Sequence, residues 1–170
     1  SIDATTGALA ATSGSPCQSG GAYPAWIAVE PAGKYIYVAD SAINGISAFA
    51  VNATTGALTP FGGSPFGTGT APGSIAIDPS GKYAYVANSG SHNLSAFTID
   101  AATGMLTHVA GDGRREPLGV GDLALRASFG GLGGVFAGND GGLFVLDLVE
   151  TGRRELLHID GPTRLLTRVL

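Results

Sequence analysis

Residues 31–40 read PAGKYIYVAD, and residues 79–88 read PSGKYAYVAN, 48 positions later. A chain that repeats itself at such a period builds its core by stacking copies of one supersecondary unit, so the repeat constrains the fold before any local feature does. The match is long. TTGALAATSGSPCQSGGAYP, from Thr5, corresponds to TTGALTPFGGSPFGTGTAP, from Thr54, at an offset of 49. After one deletion, WIAVEPAGKYIYVADSAINGISAFAVNATTG corresponds to SIAIDPSGKYAYVANSGSHNLSAFTIDAATG at an offset of 48.

The period inside the unit selects among repeat architectures. Residues 74–78, 83–87, 93–99 and 105–109 alternate with period two and are rich in aromatic and β-branched side chains, the pattern of strands. Pro79-Ser-Gly-Lys82, Asn88-Ser-Gly-Ser-His92 and Asp100-Ala-Ala-Thr-Gly104 supply turns between them. The 28 glycines and 9 prolines fit a chain of many tight turns. There is no stripe of apolar residues at i, i+3, i+4 and i+7 with caps. Four short antiparallel strands per repeat make a propeller blade. Large side chains alternate with Ala and Ser, as blades packed on both faces require. A β-sandwich is the runner-up, but it needs no such repeat. The predicted fold is all-β, with blades of four antiparallel strands.

The stretch PGSIAIDPSGKYAYVANSGSHNLSAFTIDAATGMLT resembles the YVTN-type blade of the lactonase-like β-propellers. The markers are Ile-Ala-Ile-Asp-Pro, Gly-Lys-Tyr, Tyr-Val-Ala-Asn and the Thr-Gly-x-Leu-Thr outer strand. They extend over residues 2–109. This family includes bacterial 6-phosphogluconolactonases, fungal lactonising enzymes and archaeal surface proteins, so the resemblance implies a fold more than a chemistry.

A seam follows. All seven arginines lie after residue 113, and both lysines, Lys34 and Lys82, before it. The strand pattern persists at 135–137, 143–147, 154–159 and 165–170. This third unit, residues 109–170, resembles an NHL-type repeat through Val109-Ala-Gly-Asp-Gly113, Gly121-Asp122, Gly134-Val135 and Gly142-Leu-Phe-Val145 with Asp147. It departs from that pattern at Ala137-Gly-Asn139, where an aspartate usually ends the first strand. Natural recombination among blades and a deliberate chimera both explain the seam. The expected organisation is one propeller domain: an orphan outer strand and loop in 1–23, blade 1 in 24–61, blade 2 in 62–110 and blade 3 in 111–170. Propellers close with four to eight blades. About three blades imply that a second copy, giving six, or further sequence completes the ring. Self-association as a homodimer is the expected partnership.

Nine Lys and Arg in 170 residues, with a net charge of −4, make no basic patch for nucleic acid. No apolar run approaches the ~18 residues of a membrane span. The opening SIDATTG shows no charged leader and reads as interior sequence. By resemblance, Lys-poor, Ala/Ser/Thr-rich propellers of this kind imply an extracellular or periplasmic location. Cys17, the single cysteine, stands where Phe66 stands in the next repeat, the place of a small apolar loop residue.

Propeller ligands usually sit at one end of the central channel. Asp40, Asn88 and Asp147 end the second strands of successive blades, and His92 follows in one loop, so these four are the candidate ligand-binding residues. A His or carboxylate there could act as a general base on water, and a ring of Asx oxygens could hold a cation. The competing role is structural, since Asx side chains at strand ends hydrogen-bond their own turns. No catalytic residue, metal site or cofactor is expected. His-x-x-x-His spacing is absent, and Gly111-Asp-Gly113 with Gly119-Val-Gly121-Asp122 lacks the Gly-Lys-Ser/Thr of a phosphate loop. Arg114, Arg115 and Arg126 form at most a small anion site. Catalytic lactonases draw His, Arg and Glu from several blades; the YVTN part here has no Arg, and its one Glu is Glu30. His108 and His158 lie in or at the end of strands, apart from any Cys/Asp cluster. Tyr35, Tyr37, Tyr83 and Tyr85 repeat in register and are expected between blades. The leading functional expectation is a non-catalytic scaffold or binding module. A secreted lactonase-like hydrolase and an extracellular adhesive or surface repeat are the alternatives.

Overall fold

The computed structural model describes residues 2–12, 14–110, 132–148, 154–160 and 166–169. The expected loop 112–130, with Arg114, Arg115 and Arg126, lies outside the described residues. No described residue is helical.

Three antiparallel meanders carry the chain. Blade 1 consists of β1 (Pro24–Val29), β2 (Tyr35–Asp40), β3 (Gly45–Val51) and β4 (Leu58–Pro60), with the short β5 (Phe66–Gly67) paired to β3. Blade 2 consists of β6 (Pro72–Ile77), β7 (Tyr83–Asn88), β8 (Asn93–Ile99) and β9 (Leu106–Ala110). Blade 3 consists of β10 (Leu132–Ala137), β11 (Leu143–Leu148), β12 (Arg154–Ile159) and β13 (Leu166–Arg168). The inner strands β1, β6 and β10 lie side by side in that order. Each carries a register shift near its start, between Pro24 and Trp26, Pro72 and Ser74, or Leu132 and Gly134. Such bulges sharpen local twist, as inner strands crowded round an axis require.

The turns are closed by carboxylates that the backbone demands. Asp78 accepts hydrogen bonds from the backbone N–H groups of Ser80, Lys82 and Tyr83 and from the Ser80 hydroxyl. Glu30, nearly buried, does the same for Ala32 and Lys34 in blade 1. At the outer hairpins, Asp100 accepts from Ala102 and Thr103, and Asn52 from Thr54 and Thr55. Gly56 and Gly104 follow at φ 71° and 72°, a left-handed conformation that favours glycine.

The same hairpin occurs a third time. Asp3 accepts from Thr5 and Thr6, Gly7 has φ 71°, and Ile2 pairs with Leu9 as Val51 pairs with Leu58 and Ile99 with Leu106. The orphan outer strand expected within residues 1–23 is therefore one isolated bridge at the tip of a blade-type hairpin, with Ile2 and Leu9 exposed.

Two apolar clusters fill the gaps between blades. Between blades 1 and 2, Tyr37, Ala39 and Ala48 meet Ile75, Val86 and Phe97. Between blades 2 and 3, Tyr85, Ala87 and Ala96 meet Val135, Val145 and Leu157. In both gaps the small alanines of one face take the large side chains of the next. Tyr37 and Tyr85 are buried as the register implies and Tyr35 is half-buried, whereas Tyr83 is exposed at blade 2's rim.

Polar bonds tie the blades further. The Tyr35 hydroxyl donates to the Ala102 carbonyl at 2.7 Å, and the Tyr37 hydroxyl to the Gly104 carbonyl at 2.8 Å. A side chain at Gly104 would strike the Tyr35 ring, which an added Cβ would approach to 2.6 Å. Burial, then the nearby Glu30 carboxylate and Tyr35, raise the Tyr37 hydroxyl well above the ordinary tyrosine range, so it stays protonated and donating. In the second gap, Ser74 Oγ donates to the Val135 carbonyl at 3.4 Å and lies 3.3 Å from the Val135 N–H donor.

Candidate functional site

Asp40, Asn88 and Asp147 occupy the same place in each blade. Each is the residue opposite the first residue of the inner strand, across the bulge: Pro24 with Asp40, Pro72 with Asn88, Leu132 with Asp147. Asp40 and Asn88 also lie opposite the first residues of β3 and β8, Gly45 and Asn93, and Asp147 lies opposite Glu155, the second residue of β12. The three side chains therefore sit at one end of the sheets, as the sequence implies.

Their surroundings are protein. Asp40 and Asn88 are 0% exposed and Asp147 is 6% exposed. Asp40 Oδ1 accepts from the Ala42 N–H at 2.9 Å, closing the β2–β3 turn, and Ser19 Oγ lies 3.4 Å from Oδ2. The incoming segment passes so close that a Cβ on Gly21 would collide with the Asp40 carboxylate. Asn88 repeats the arrangement. Its Nδ2 donates to Asn93 Oδ1 and to Ser95 Oγ, both at 2.9 Å, and a Cβ on Gly69 would come within 2.8 Å of that nitrogen. Asn88 Oδ1 is buried with no hydrogen-bond partner among the described residues. In blades 1 and 2 the Asx residue is thus a post against which the segment entering the blade is laid, and glycine at 21 and 69 allows that approach.

His92 belongs to the loop beside Asn88 but shares none of its enclosure. It is exposed and has φ 53°, the left-handed conformation that Asn44 adopts at φ 49° in the equivalent turn of blade 1. Asn and His are among the non-glycine residues that enter this region most readily. Asn44 also accepts from the Ala71 N–H at 2.9 Å, linking its turn to the strand entering blade 2.

The sequence sets His158 apart from any Cys/Asp cluster, and the structure adds one acidic neighbour that the sequence does not reveal. Its Nε2 lies 3.3 Å from Asp140 Oδ2, and its ring lies 4.6 Å from Phe144. Asp140 is a turn residue whose carboxyl is held below the usual range first by the Gly142 N–H, with His158 adding to it. Sequence alone hides the pairing because it depends on cross-strand register: Phe136, Phe144 and His158 form one row across blade 3. His108 packs edge-on against Phe97 at 4.9 Å. Among the described residues, no three His, Cys, Asp or Glu side chains are grouped to hold a metal ion. No helix of the described residues is long and apolar enough to cross a membrane.

Three adjacent four-stranded meanders with their inner strands side by side define a β-propeller sector. Residues 2–117 match the family described as lactonase, 7-bladed β-propeller, and the chain belongs to that family. Among solved structures, the chain is similar to a functionally unknown protein of Desulfotomaculum acetoxidans (24% identity, TM-score 0.63, 89% of this chain and 44% of that one). It is also similar to candidate 6-phosphogluconolactonases of Bacteroides uniformis (18% identity, TM-score 0.61, 86% and 40%) and Bacteroides fragilis (37% identity, TM-score 0.46, 49% and 23%). The chain spans less than half the length of each. Comparison with curated proteins found no match.

Proposed function

We propose that the chain works as a non-catalytic propeller module, a structural and binding scaffold within the lactonase family. The observation that carries this reading is the use made of Asp40 and Asn88. Both are fully buried, Asp40 closing its own turn and Asn88 holding polar groups of its own blade, and both abut a glycine of the incoming segment. Glu30, the one glutamate of the YVTN part, caps a turn. A general base must reach a water and a substrate, and neither carboxylate is exposed to do so. The extracellular or periplasmic placement goes with this reading and rests on the resemblance to Lys-poor, Ala/Ser/Thr-rich propellers alone.

The test is hydrolysis of 6-phosphogluconolactone and of a chromogenic lactone, followed by proton release. The expected rate equals that of buffer. A rate above buffer that His92→Ala or Asp40→Ala abolishes, with folding intact by circular dichroism, overturns the reading. It would establish the second one, a lactone hydrolase, which the family match over residues 2–117 favours.

A further inference from the structure

The chain holds five asparagines, and two of them open an Asn-x-Ser/Thr triplet, Asn52-Ala-Thr54 and Asn93-Leu-Ser95. That triplet is the acceptor pattern for N-linked glycans where it lies on an accessible turn. The structure treats the two differently. Asn93 is half-buried in β8, and its Oδ1 accepts from Asn88 Nδ2 at 2.9 Å and from Ser91 Oγ at 3.0 Å. Ser95 is 0% exposed and accepts from the same Asn88 nitrogen. Asn52 and Thr54 are both exposed, in the turn of the β3–β4 hairpin.

In that hairpin the two ends of the Asn52 amide have separate uses. Oδ1 accepts from the Thr54 N–H at 3.0 Å and from the Thr55 N–H at 2.9 Å, which closes the turn. Nδ2 is left over, with no hydrogen-bond partner among the described residues. The two sister hairpins show that the cap itself needs no nitrogen. Asp3 performs it with a carboxylate on Thr5 and Thr6, and Asp100 on Ala102 and Thr103. A neighbouring blade does not close the position either. Asp100, the counterpart of Asn52, stays exposed although blade 1 packs on its hairpin through the hydroxyls of Tyr35 and Tyr37.

We infer that Asn52 is an N-glycosylation site and that Asn93 is not. The Asn52 nitrogen attacks the anomeric carbon of a polyprenyl-diphosphate-linked sugar held by an oligosaccharyl transferase. A C–N bond forms, the anomeric C–O bond breaks, and the diphosphate leaves with the electron pair. The proton from Nδ2 passes to a base of the transferase. The product is a secondary amide that keeps its carbonyl, so the cap on Thr54 and Thr55 survives the modification. At Asn93 the sugar would have to leave a half-buried side chain packed among Asn88 and Ser91. The glycan therefore marks one of three similar hairpins. The inference rests on the placement outside the cytoplasm proposed above, and it does not depend on whether the module is catalytic.

The experiment supplies that placement, so its failure is a failure of the site and not of the placement. The full chain is secreted from a eukaryotic host behind a cleavable leader. Its mass is read before and after an N-glycanase, which leaves aspartate at each released position. Translation into microsomes gives the same mass reading independently of secretion yield. One glycan is expected, with the aspartate appearing at position 52. Asn52→Asp, which keeps the cap, and Thr54→Ala are each expected to abolish it. Asn93→Gly, which copies Gly45 of blade 1, leaves it in place. Adding Asp3→Asn to Asn52→Asp writes the same Asn-Ala-Thr triplet into the first hairpin and is expected to restore one glycan there. The glycosylated chain and the Asn52→Asp chain are expected to share one thermal midpoint. A product without a glycan, or a glycan that survives Asn52→Asp, overturns the inference. So does a glycosylated chain that melts well below the Asn52→Asp variant, since the cap would then have been lost.

Discussion

Ile27 and Ile75 are the same residue, in the same place on the inner strand of two blades built from nearly the same sequence. One is exposed and the other sealed. Nothing local separates them, because strand register, bulge and turn caps agree between the blades. What differs is the neighbour: blade 2 has blade 1 beside it. Burial in this architecture is therefore a property of the interface rather than of the unit, as expected of a quasi-one-dimensional stack of repeats. Blade 3 differs from both, with large side chains where the YVTN blades have alanine.

The comparison can be broken most forcefully at those isoleucines. Ile75→Ala is expected to cost about 2–5 kcal/mol of unfolding free energy, whereas Ile27→Ala costs less than about 1 kcal/mol, measured by urea denaturation. Equal costs would mean that blade 1's face is covered in solution. The glycine pair is next. Gly104→Ala adds a collision with Tyr35 to the strain of its positive φ, whereas Gly56→Ala carries chiefly the strain, about 1–2 kcal/mol. The difference between the two reads out the tyrosine lock alone. Tyr37→Phe removes a buried donor from the Gly104 carbonyl and is expected to cost about 1 kcal/mol in the same assay.

The smallest effect concerns acid. The Asp100 carboxyl is held below the usual aspartate range, first by the backbone N–H and then the hydroxyl of Thr103, then by the N–H of Ala102. A carboxylate with a lowered folded pKa contributes stability that is full above the unfolded value and is lost as pH falls through the folded one. Asp100→Asn is expected to leave neutral stability nearly unchanged, since Asn52 performs the same capping in blade 1. The variant should lose that part of the acid-limb slope below about pH 4, measured by thermal melts across the acid range.

Much of this fold was legible because the repeat and the period-two alternation are both encoded in side-chain type. The strands at 83–88 and 93–99 follow directly from Tyr-Ala-Tyr-Val-Ala-Asn and Asn-Leu-Ser-Ala-Phe-Thr-Ile. The tyrosines were legible as interblade residues only in part: Tyr37 and Tyr85 are enclosed, while Tyr83 lies at the rim. Asp40, Asn88 and Asp147 were legible as equivalent positions, but not their burial, because the approach of Gly21 and Gly69 is a tertiary fact. The Asp140–His158 pair depends on cross-strand register. The hairpin at 2–9 did carry a signal: DATTGAL, NATTGAL and DAATGML are one capped turn written three times.

The most direct test of the account labels two engineered thiols in the unmodified repeat layout. Ile27→Cys and Ile75→Cys, each in a Cys17→Ser background because Cys17 is itself exposed, are reacted with a thiol reagent under native conditions. The thiol at position 27 should react at once, and the thiol at position 75 only at the rate of unfolding. Comparable rates at the two positions would contradict the account, whether both are fast, leaving no interface between blades 1 and 2, or both slow, leaving no open face on blade 1.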